Sequence, residues 1–343
     1  MARSIVARLS LMSAVQLSDV LYAAVDWMKR LAPRLRKEIP TDFEVLWWKA
    51  IEAAETLPPT DGRYSERSWA DEGLNSPVGK LTQVLLEDEA LKGGQGVARL
   101  SAEWKHKSET LLRLPGNLRR HALVLLSYQF LFFCSVDPRW ATESIMPSMD
   151  SDGPDSDAFW DGFLWANKVP CPPLFKKMRP SFVRRISEGS TRKPITDGLA
   201  DFFLYAWVAW SDRQRPPLTN DQFREAIVEG GVEYGVQVLW NLGRKLKAGT
   251  VSDEKVIEFF SEVWPLQKAL KGQETSRALS SFAFGSGNLF PQVVKLTSRH
   301  LVACENFDLY SVRSAETGGI LDAYPEALLE VLVRLLPDDV GRP

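Results

Sequence analysis

The chain has 343 residues, of which 45% are hydrophobic and 25% are charged, and this is enough to bury a large core. Its 42 lysine and arginine residues nearly balance its 44 aspartate and glutamate residues, which argues against a dominant nucleic-acid or membrane-surface role and leaves local patches to consider. The three cysteines and three histidines are scattered, so we expect no disulfide framework and no paired zinc ligands, and a reducing cytoplasm fits best.

Helical periodicity begins near the N-terminus and dominates the chain. Apolar residues recur at spacings of three and four from Leu17 to Leu31, which predicts a helix that ends just before Pro33. The segment that follows repeats this spacing, and either Thr41 or Asp42 is predicted to cap its helix.

A glycine-containing segment, GLNSPVGKLTQVLLE, at first suggests a phosphate-binding loop, which needs G-x-x-x-x-G-K followed by Ser or Thr. Five residues rather than four separate its glycines, and Leu81 occupies the place of the metal-binding hydroxyl. A helix start explains the same residues, because Ser76 can cap a helix that Pro77 begins, with Leu81, Val84 and Leu85 facing the core. We therefore expect no nucleotide site in this segment.

The longest apolar run, residues 122–136, is too short for a membrane span and predicts a buried helix, so we expect no membrane interaction. His121 precedes this run and follows two arginines, and it is predicted to be a surface or capping histidine rather than a catalytic one. Cys134 lies within the run and is expected to be an inert core thiol. The 12 tryptophans are spread along the chain, which indicates core residues rather than one stacking platform.

The longest break, PSMDSDGPDSD, is rich in Asp, Ser, Gly and Pro and is the best candidate for a boundary within the chain. It divides the chain into residues 1–150 and 151–343, which form either two helical halves or one continuous array. The break departs from the ligand pattern of a calcium loop, and Asp157 is predicted to cap the helix that follows it.

One basic segment, LFKKMRPSFVRRISEGSTRK, interleaves cations with phenylalanines, a pattern that can bind a nucleic-acid backbone or a protein partner. A solvated helix face with the phenylalanines inside explains the pattern equally well and is the more common case. The candidate partner-binding patch consists of Lys176, Lys177, Arg179, Arg184 and Arg185.

Further amphipathic helices are predicted towards the C-terminus. One covers SDEKVIEFFSEVW and is capped by Ser252 or Asp253, and another covers YPEALLEVLVRLL with its leucines facing the core. Strand patterns are scarce in the sequence, and short breaks rich in Pro, Gly, Asp and Ser separate the helices. This rhythm predicts an all-α fold arranged as an irregular helical repeat, similar to an α-solenoid.

Four segments together carry a resemblance to a known family: LNSPVGKLTQVLL, DPRWATESIMPSMD, AFWDGFLWANKVPCPPLFKKMRPSF and YPEALLEVLVRLLPDD. Their order and spacing resemble the C-terminal helical region of large bacterial proteins that defend against phage and carry a sirtuin-like domain at their N-terminus. The resemblance implies an all-α region that senses a phage component or holds an effector in check, while the sirtuin-like domain hydrolyses NAD. This chain lacks that domain, so no NAD-site residue carries over, and we expect the chain to be part of a larger protein or complex.

Sequence signatures of catalytic residues, cofactor sites and metal sites are lacking, so we expect no enzyme activity, no cofactor and no metal. The leading hypothesis is a cytoplasmic, non-enzymatic scaffold or sensor in antiphage defence that binds a phage protein or an effector subunit and controls its activation. The alternative is a nucleic-acid-binding subunit of a defence complex. An all-α enzyme would require acidic or histidine side chains from different helices to converge, for which the sequence offers no sign.

Overall fold

A computed structural model describes residues 2–60, 68–88, 100–188, 193–210, 218–265, 267, 270–304, 307 and 319–336. Every regular element within these ranges is a helix, which confirms the predicted all-α class, whereas the helical-repeat arrangement stays a prediction. The chain forms two compact units, Met1–Lys168 and Val169–Pro343. The boundary predicted after residue 150 precedes this division along the chain.

The first unit contains two long helices near its N-terminus and shorter helices after them. A π-helical turn, Ala141–Ile145, and a 3-10 turn, Met146–Asp150, precede its last helix. Its α-helices are α1 (Ala2–Leu11), α2 (Ala14–Asp19), α3 (Leu21–Glu38), α4 (Pro40–Glu55), α5 (Trp69–Asn75), α6 (Pro77–Leu86), α7 (Ala102–Arg113), α8 (Gly116–Tyr128), α9 (Phe130–Val136), α10 (Pro138–Trp140) and α11 (Pro154–Trp165).

Helix α8 lies at the centre of the first unit, where α5, α6, α7 and α11 pack around it. The closest approach is made by Gly162 of α11, because a Cβ at that position would lie 2.0 Å from the carbonyl oxygen of Val124. A carboxylate oxygen of Asp161 accepts a 2.8 Å hydrogen bond from the backbone N–H of Trp69. This bond joins α11 to the start of α5, so α11 completes the core of the unit.

The start of α6 confirms the predicted helix start within GLNSPVGKLTQVLLE. The hydroxyl of Ser76 accepts a 2.9 Å hydrogen bond from the backbone N–H of Gly79, and Pro77 is the first helical residue. The three apolar residues predicted to face the core are all buried. Serine satisfies an N–H that has no partner within the helix, and proline begins the helix at a position where its missing N–H costs nothing.

The helix predicted over Leu17–Leu31 is wrong at both ends. The chain forms two helices there, α2 and α3, which meet at Val20, and Pro33 lies inside α3. Proline removes a backbone hydrogen bond from a helix interior. The buried side chains of Ala32 and Leu35 on either side of Pro33 hold α3 together across that position.

Two predicted caps are also wrong, and a proline begins the helix in both cases. Helix α4 begins at Pro40, which places Thr41 and Asp42 in its first turn. Helix α11 begins at Pro154, so Asp157 lies in the first turn and does not cap the helix. Asp42 and Asp157 still stabilise these helices, because an acidic side chain in a first turn interacts favourably with the helix dipole.

The second unit is built around one long helix. A π-helical turn, Phe259–Val263, and 3-10 turns at Gly287–Leu289 and Ser298–His300 occur between its helices. Its α-helices are α12 (Pro172–Ser187), α13 (Lys193–Trp210), α14 (Asn220–Lys247), α15 (Asp253–Glu258), α16 (Gln273–Phe284), α17 (Phe290–Thr297), α18 (Ile320–Ala323) and α19 (Pro325–Leu335).

Helix α14 organises the second unit, since α12, α13 and α16 all pack against it. It bends at Gly231, whose φ of 66° interrupts the helical backbone. The hydroxyl of Ser252 accepts a hydrogen bond from the backbone N–H of Lys255, which confirms the predicted cap of α15. Phenylalanines from α12, α13, α14 and the π-helical turn form a continuous aromatic core.

Within the ranges that the structure describes, none of the helices combines the length and apolar character that crossing a membrane requires.

Candidate functional site

The residues of the predicted basic patch lie on α12, but the structure spreads them around the helix. Lys176, Lys177 and Arg184 are exposed and fall within a sector of about 100°, as expected from 3.6 residues per turn. Arg179 and Arg185 are half-buried and point away from that sector. Glu188 lies 3.5 Å from Arg184 and 3.9 Å from Arg185, which offsets part of the positive charge.

The lysine of the GLNSPVGKLTQVLLE segment lies in a structural ion pair. The ammonium group of Lys80 lies 2.7 Å from a carboxylate oxygen of Asp26 on α3, and the Lys80 side chain is buried. Arg30 contacts the other oxygen of Asp26 at 2.8 Å. A Cβ at Gly79 would lie 1.6 Å from the carbonyl oxygen of Gly73, so this glycine permits close packing of α5 and α6. The glycine and the lysine both serve the fold.

His121 and Glu72 are ionisable side chains from two different helices that lie close together, which the sequence did not reveal. Nε2 of His121 on α8 lies 3.7 Å from a carboxylate oxygen of Glu72 on α5. His121 is only 4% exposed, so its prediction as a surface or capping histidine is wrong. The reason is the central position of α8, which packing helices surround regardless of the polar residues at its start.

Burial and the nearby charge of Arg120 lower the pKa of His121 to about 4. A cleft of about 610 Å³ reaches the pair, because Glu72 and His121 contribute to its lining together with Asp71, Asn75 and Asn117. Both ring nitrogens of His121 and both carboxylate oxygens of Glu72 are nevertheless shielded from solvent. A substrate in the cleft would therefore not reach these atoms without a rearrangement, and the pair is better explained as part of the core.

A more accessible site lies in the second unit, between α14 and α16. The two helices form the walls of a groove with a volume of about 500 Å³. Each wall contributes positions spaced by four, three and four residues, so the groove follows one face of each helix for about 16 Å. These positions are Val236, Trp240, Gly243 and Lys247 on one wall and Glu274, Ala278, Ser281 and Gly285 on the other.

Small residues make this groove. Gly243 packs directly against the ring of Phe282, since a Cβ at that position would lie 3.4 Å from a ring carbon. The opposite wall also carries small side chains that project little into the groove, at Ala278, Ser281 and Gly285. Where two packed helices carry such small side chains along their shared edge, the space between them accepts the side chains of another helix. Leu239 and Leu246 add apolar surface to the lining.

The rim of the groove is aromatic and cationic. Trp240 is 61% exposed, and the guanidinium carbon of Arg244 lies 5.2 Å from its ring centroid. Arg244 also contacts Asp201 at 3.3 Å. Three cations, Arg244, Lys247 and Arg277, line the groove together with one carboxylate, Glu274, and the carboxylate of Asp201 pairs with Arg244 beside it. The groove is therefore suited to an apolar ligand with negative charge at its edges.

The prediction that the tryptophans are core residues is wrong for Trp240, which is exposed. Among the tryptophans whose side chains the structure describes, seven are buried, including Trp160 and Trp207, but Trp240 and Trp165 are exposed. Composition predicts the average behaviour of a residue type and does not identify exceptions. Cys134 is a smaller exception, because it is half-buried rather than inside the core.

Sequence reasoning missed the groove because its signal is weak. Gly243 and Gly285 look like breaks or weak points of helices, and Trp240 fits a buried stripe as well as an exposed one. The groove could be predicted from small residues that recur at spacings of three and four on two helices that pack against each other. That signal requires knowledge of which helices pack together.

Groups of three or more histidine, cysteine, aspartate or glutamate side chains that could hold a metal ion do not occur among the described residues. No family model, no curated protein and no solved structure matches this chain. The similarity to the helical region of sirtuin-like defence proteins accordingly stays a prediction.

Proposed function

We propose that this chain is a non-enzymatic protein-recognition scaffold and that the α14–α16 groove binds an amphipathic helix of a partner protein. The observation that carries the proposal is an apolar groove with an exposed tryptophan and a cationic rim. Recognition of a helix in such a groove buries apolar residues spaced by three and four positions. Acidic residues beside that apolar stripe would contact Arg244, Lys247 and Arg277.

The biological setting of the proposal comes from the resemblance described above. In antiphage defence, the partner would be a phage protein or an effector subunit, and the chain would act in the cytoplasm as part of a larger assembly. Binding changes the activity of an effector only if the groove binds more tightly in one of its states than in the other. The proposal therefore requires a difference in affinity between the active and inactive forms of that effector.

A labelled synthetic helix of three turns provides the test, with leucines spaced by four and three residues and glutamates beside them. A matched peptide carries lysines in place of the glutamates. We expect the acidic peptide to bind more tightly by about tenfold, since two or three rim ion pairs contribute roughly 0.5 kcal/mol each. Fluorescence anisotropy with the full chain measures both affinities.

Groove variants locate the binding site in the same assay. Trp240→Ala is expected to weaken binding of the acidic peptide by about thirtyfold, because tryptophans buried at interfaces contribute roughly 2 kcal/mol or more to the binding free energy. Trp165→Ala is the matched control, since Trp165 is 45% exposed but lies in the first unit. Equal binding of both peptides to the wild-type chain, or equal effects of the two tryptophan variants, would rule out the groove as the site.

A second candidate function is nucleic-acid binding. Its support is the exposed sector of α12 that contains Lys176, Lys177 and Arg184. Exposed cations on one face of a helix can track a phosphate backbone, and the affinity then falls steeply with salt concentration. The carboxylate of Glu188 beside Arg184 weakens this candidate.

A further inference from the structure

The C-terminal helix α19 has two apolar faces, and only one of them packs against the rest of the second unit. Leu328, Val331 and Leu335 are buried, as the predicted amphipathic pattern requires. Leu329 and Val333 are 63% and 65% exposed, and Leu336 just after the helix is 46% exposed. The prediction that all leucines of this segment face the core is therefore wrong.

The exposed residues of α19 form a continuous stripe. Leu329, Val333 and Leu336 are spaced by four and three residues, which places them within a sector of about 60° on the helix surface. Glu326 and Glu330 are exposed and lie beside this stripe. Soluble proteins rarely expose contiguous apolar stripes of this kind unless the stripe has a binding partner.

The stripe and the α14–α16 groove are complementary. Helix α19 has 11 residues and is about 16 Å long, which matches the length over which the two groove walls run. Its apolar stripe corresponds to the apolar floor of the groove, and its two glutamates correspond to the groove cations Lys247 and Arg277. Both surfaces are exposed in a single chain.

We propose that the α14–α16 groove binds the exposed face of α19 from a second copy of this chain. The inference rests on the proposed function, because it names the helix that occupies the same groove. Leucine and valine side chains of α19 enter the space above Gly243 and Ala278, and Trp240 covers one edge of the helix. A partner protein with a similar helix competes with α19 for the groove, so that binding the partner separates the two copies.

The oligomeric state of the full chain provides the first test. Light scattering during size-exclusion chromatography should give twice the chain mass or more for the wild type at high concentration. Val333→Lys places a charged side chain against the apolar floor of the groove and should reduce the chain to a monomer, while its circular dichroism stays unchanged. Leu11→Lys is the matched control, because Leu11 is 86% exposed but lies in the first unit, and it should leave the mass unchanged.

A charge-reversal experiment tests whether the contact joins two copies. The groove variant carries Lys247→Glu and Arg277→Glu, and the helix variant carries Glu326→Lys and Glu330→Lys. Each variant alone places like charges opposite each other, so its self-association should weaken by at least about tenfold. An equimolar mixture restores opposite charges at both contacts and should associate as the wild type does.

The outcomes separate this inference from the proposed function. A wild-type chain that stays monomeric, or a mixture that fails to associate, overturns self-association through α19. If the acidic synthetic helix still binds to such a monomeric chain and Trp240→Ala weakens it, the groove remains a recognition site for other proteins. If Val333→Lys and Leu11→Lys both leave association intact, a surface other than α19 joins the copies and the inference is wrong.

Discussion

His121 is buried in its unit beside a carboxylate and an arginine, and its protonation is linked to folding. Burial and Arg120 lower its pKa to about 4 in the folded chain, whereas an exposed histidine titrates near 6.5. The unfolded chain therefore takes up a proton at a higher pH than the folded chain does. The free energy of unfolding contains a contribution from His121 that is present above pH 6.5 and is lost as the pH falls towards 4.

The linkage predicts that His121→Gln makes stability less sensitive to pH. Between pH 7 and pH 5, the wild type should lose about 2 kcal/mol from this residue, and the variant should not lose that amount. Urea denaturation at both pH values measures the difference, and His106→Gln, a change at an exposed histidine, serves as the control. His300 is also buried with its pKa lowered to about 4, so the variant retains part of the pH dependence. Equal losses in wild type and His121→Gln would contradict the prediction.

At the level of helices, local chemistry identified some helix starts and missed others. Ser76 and Ser252 cap the predicted helices because a side-chain hydroxyl satisfies a backbone N–H within the same turn. Thr41 and Asp157 were wrong as caps because a proline begins the helix instead, one residue earlier in the first case and three in the second. Pro33 inside α3 depends on tertiary packing, which no local pattern contains.

Helix faces were predictable to the same partial extent. The spacing of apolar residues identifies a stripe that leaves the solvent, as it does for Leu81, Val84 and Leu85 in α6. The spacing does not distinguish a stripe that packs within the chain from a stripe that stays exposed. Helix α19 carries both kinds of stripe, and the exposed one only becomes visible when the positions of its neighbours are known.

The basic face of α12 yields a prediction that separates the two candidate functions. Lys176→Glu, Lys177→Glu and Arg184→Glu together should leave binding of the acidic synthetic helix unchanged, because α12 contributes no side chain to the groove lining. The same variant is then tested with a single-stranded oligonucleotide at low and high salt. Oligonucleotide binding by the wild type that falls with salt and disappears in the variant would favour the nucleic-acid candidate instead.

At the scale of the whole chain, composition and periodicity were sufficient to predict the all-α class, but not the boundary between units. The acidic break at residues 147–156 suggested a linker because its composition is that of a loop. In the structure, the 3-10 turn Met146–Asp150 overlaps the start of this break, and α11, which belongs to the first unit, begins within the break at Pro154. A polar connection between two helices of one core has the same composition as a linker between domains.

The position of the boundary leads to a prediction about fragments. Residues 1–168 contain a complete core, in which Gly162 packs against Val124 and Asp161 binds the start of α5. We expect this fragment to fold alone and to unfold cooperatively in urea, since it has the size and the separate core of an ordinary domain.

The matched fragment, residues 1–150, ends at the boundary that composition suggests. It lacks α11 and therefore exposes the apolar face of α8 and the ring of Phe130, which packs against Phe159 and Phe163. Losing a buried aromatic side chain costs about 3–5 kcal/mol, and the stability of a typical domain is only about 5–15 kcal/mol. We therefore expect the 1–150 fragment to lack a cooperative unfolding transition. Near-ultraviolet circular dichroism and urea titration compare the two fragments. Native-like cooperative unfolding of the 1–150 fragment would show that α11 is an addition to the core rather than part of it.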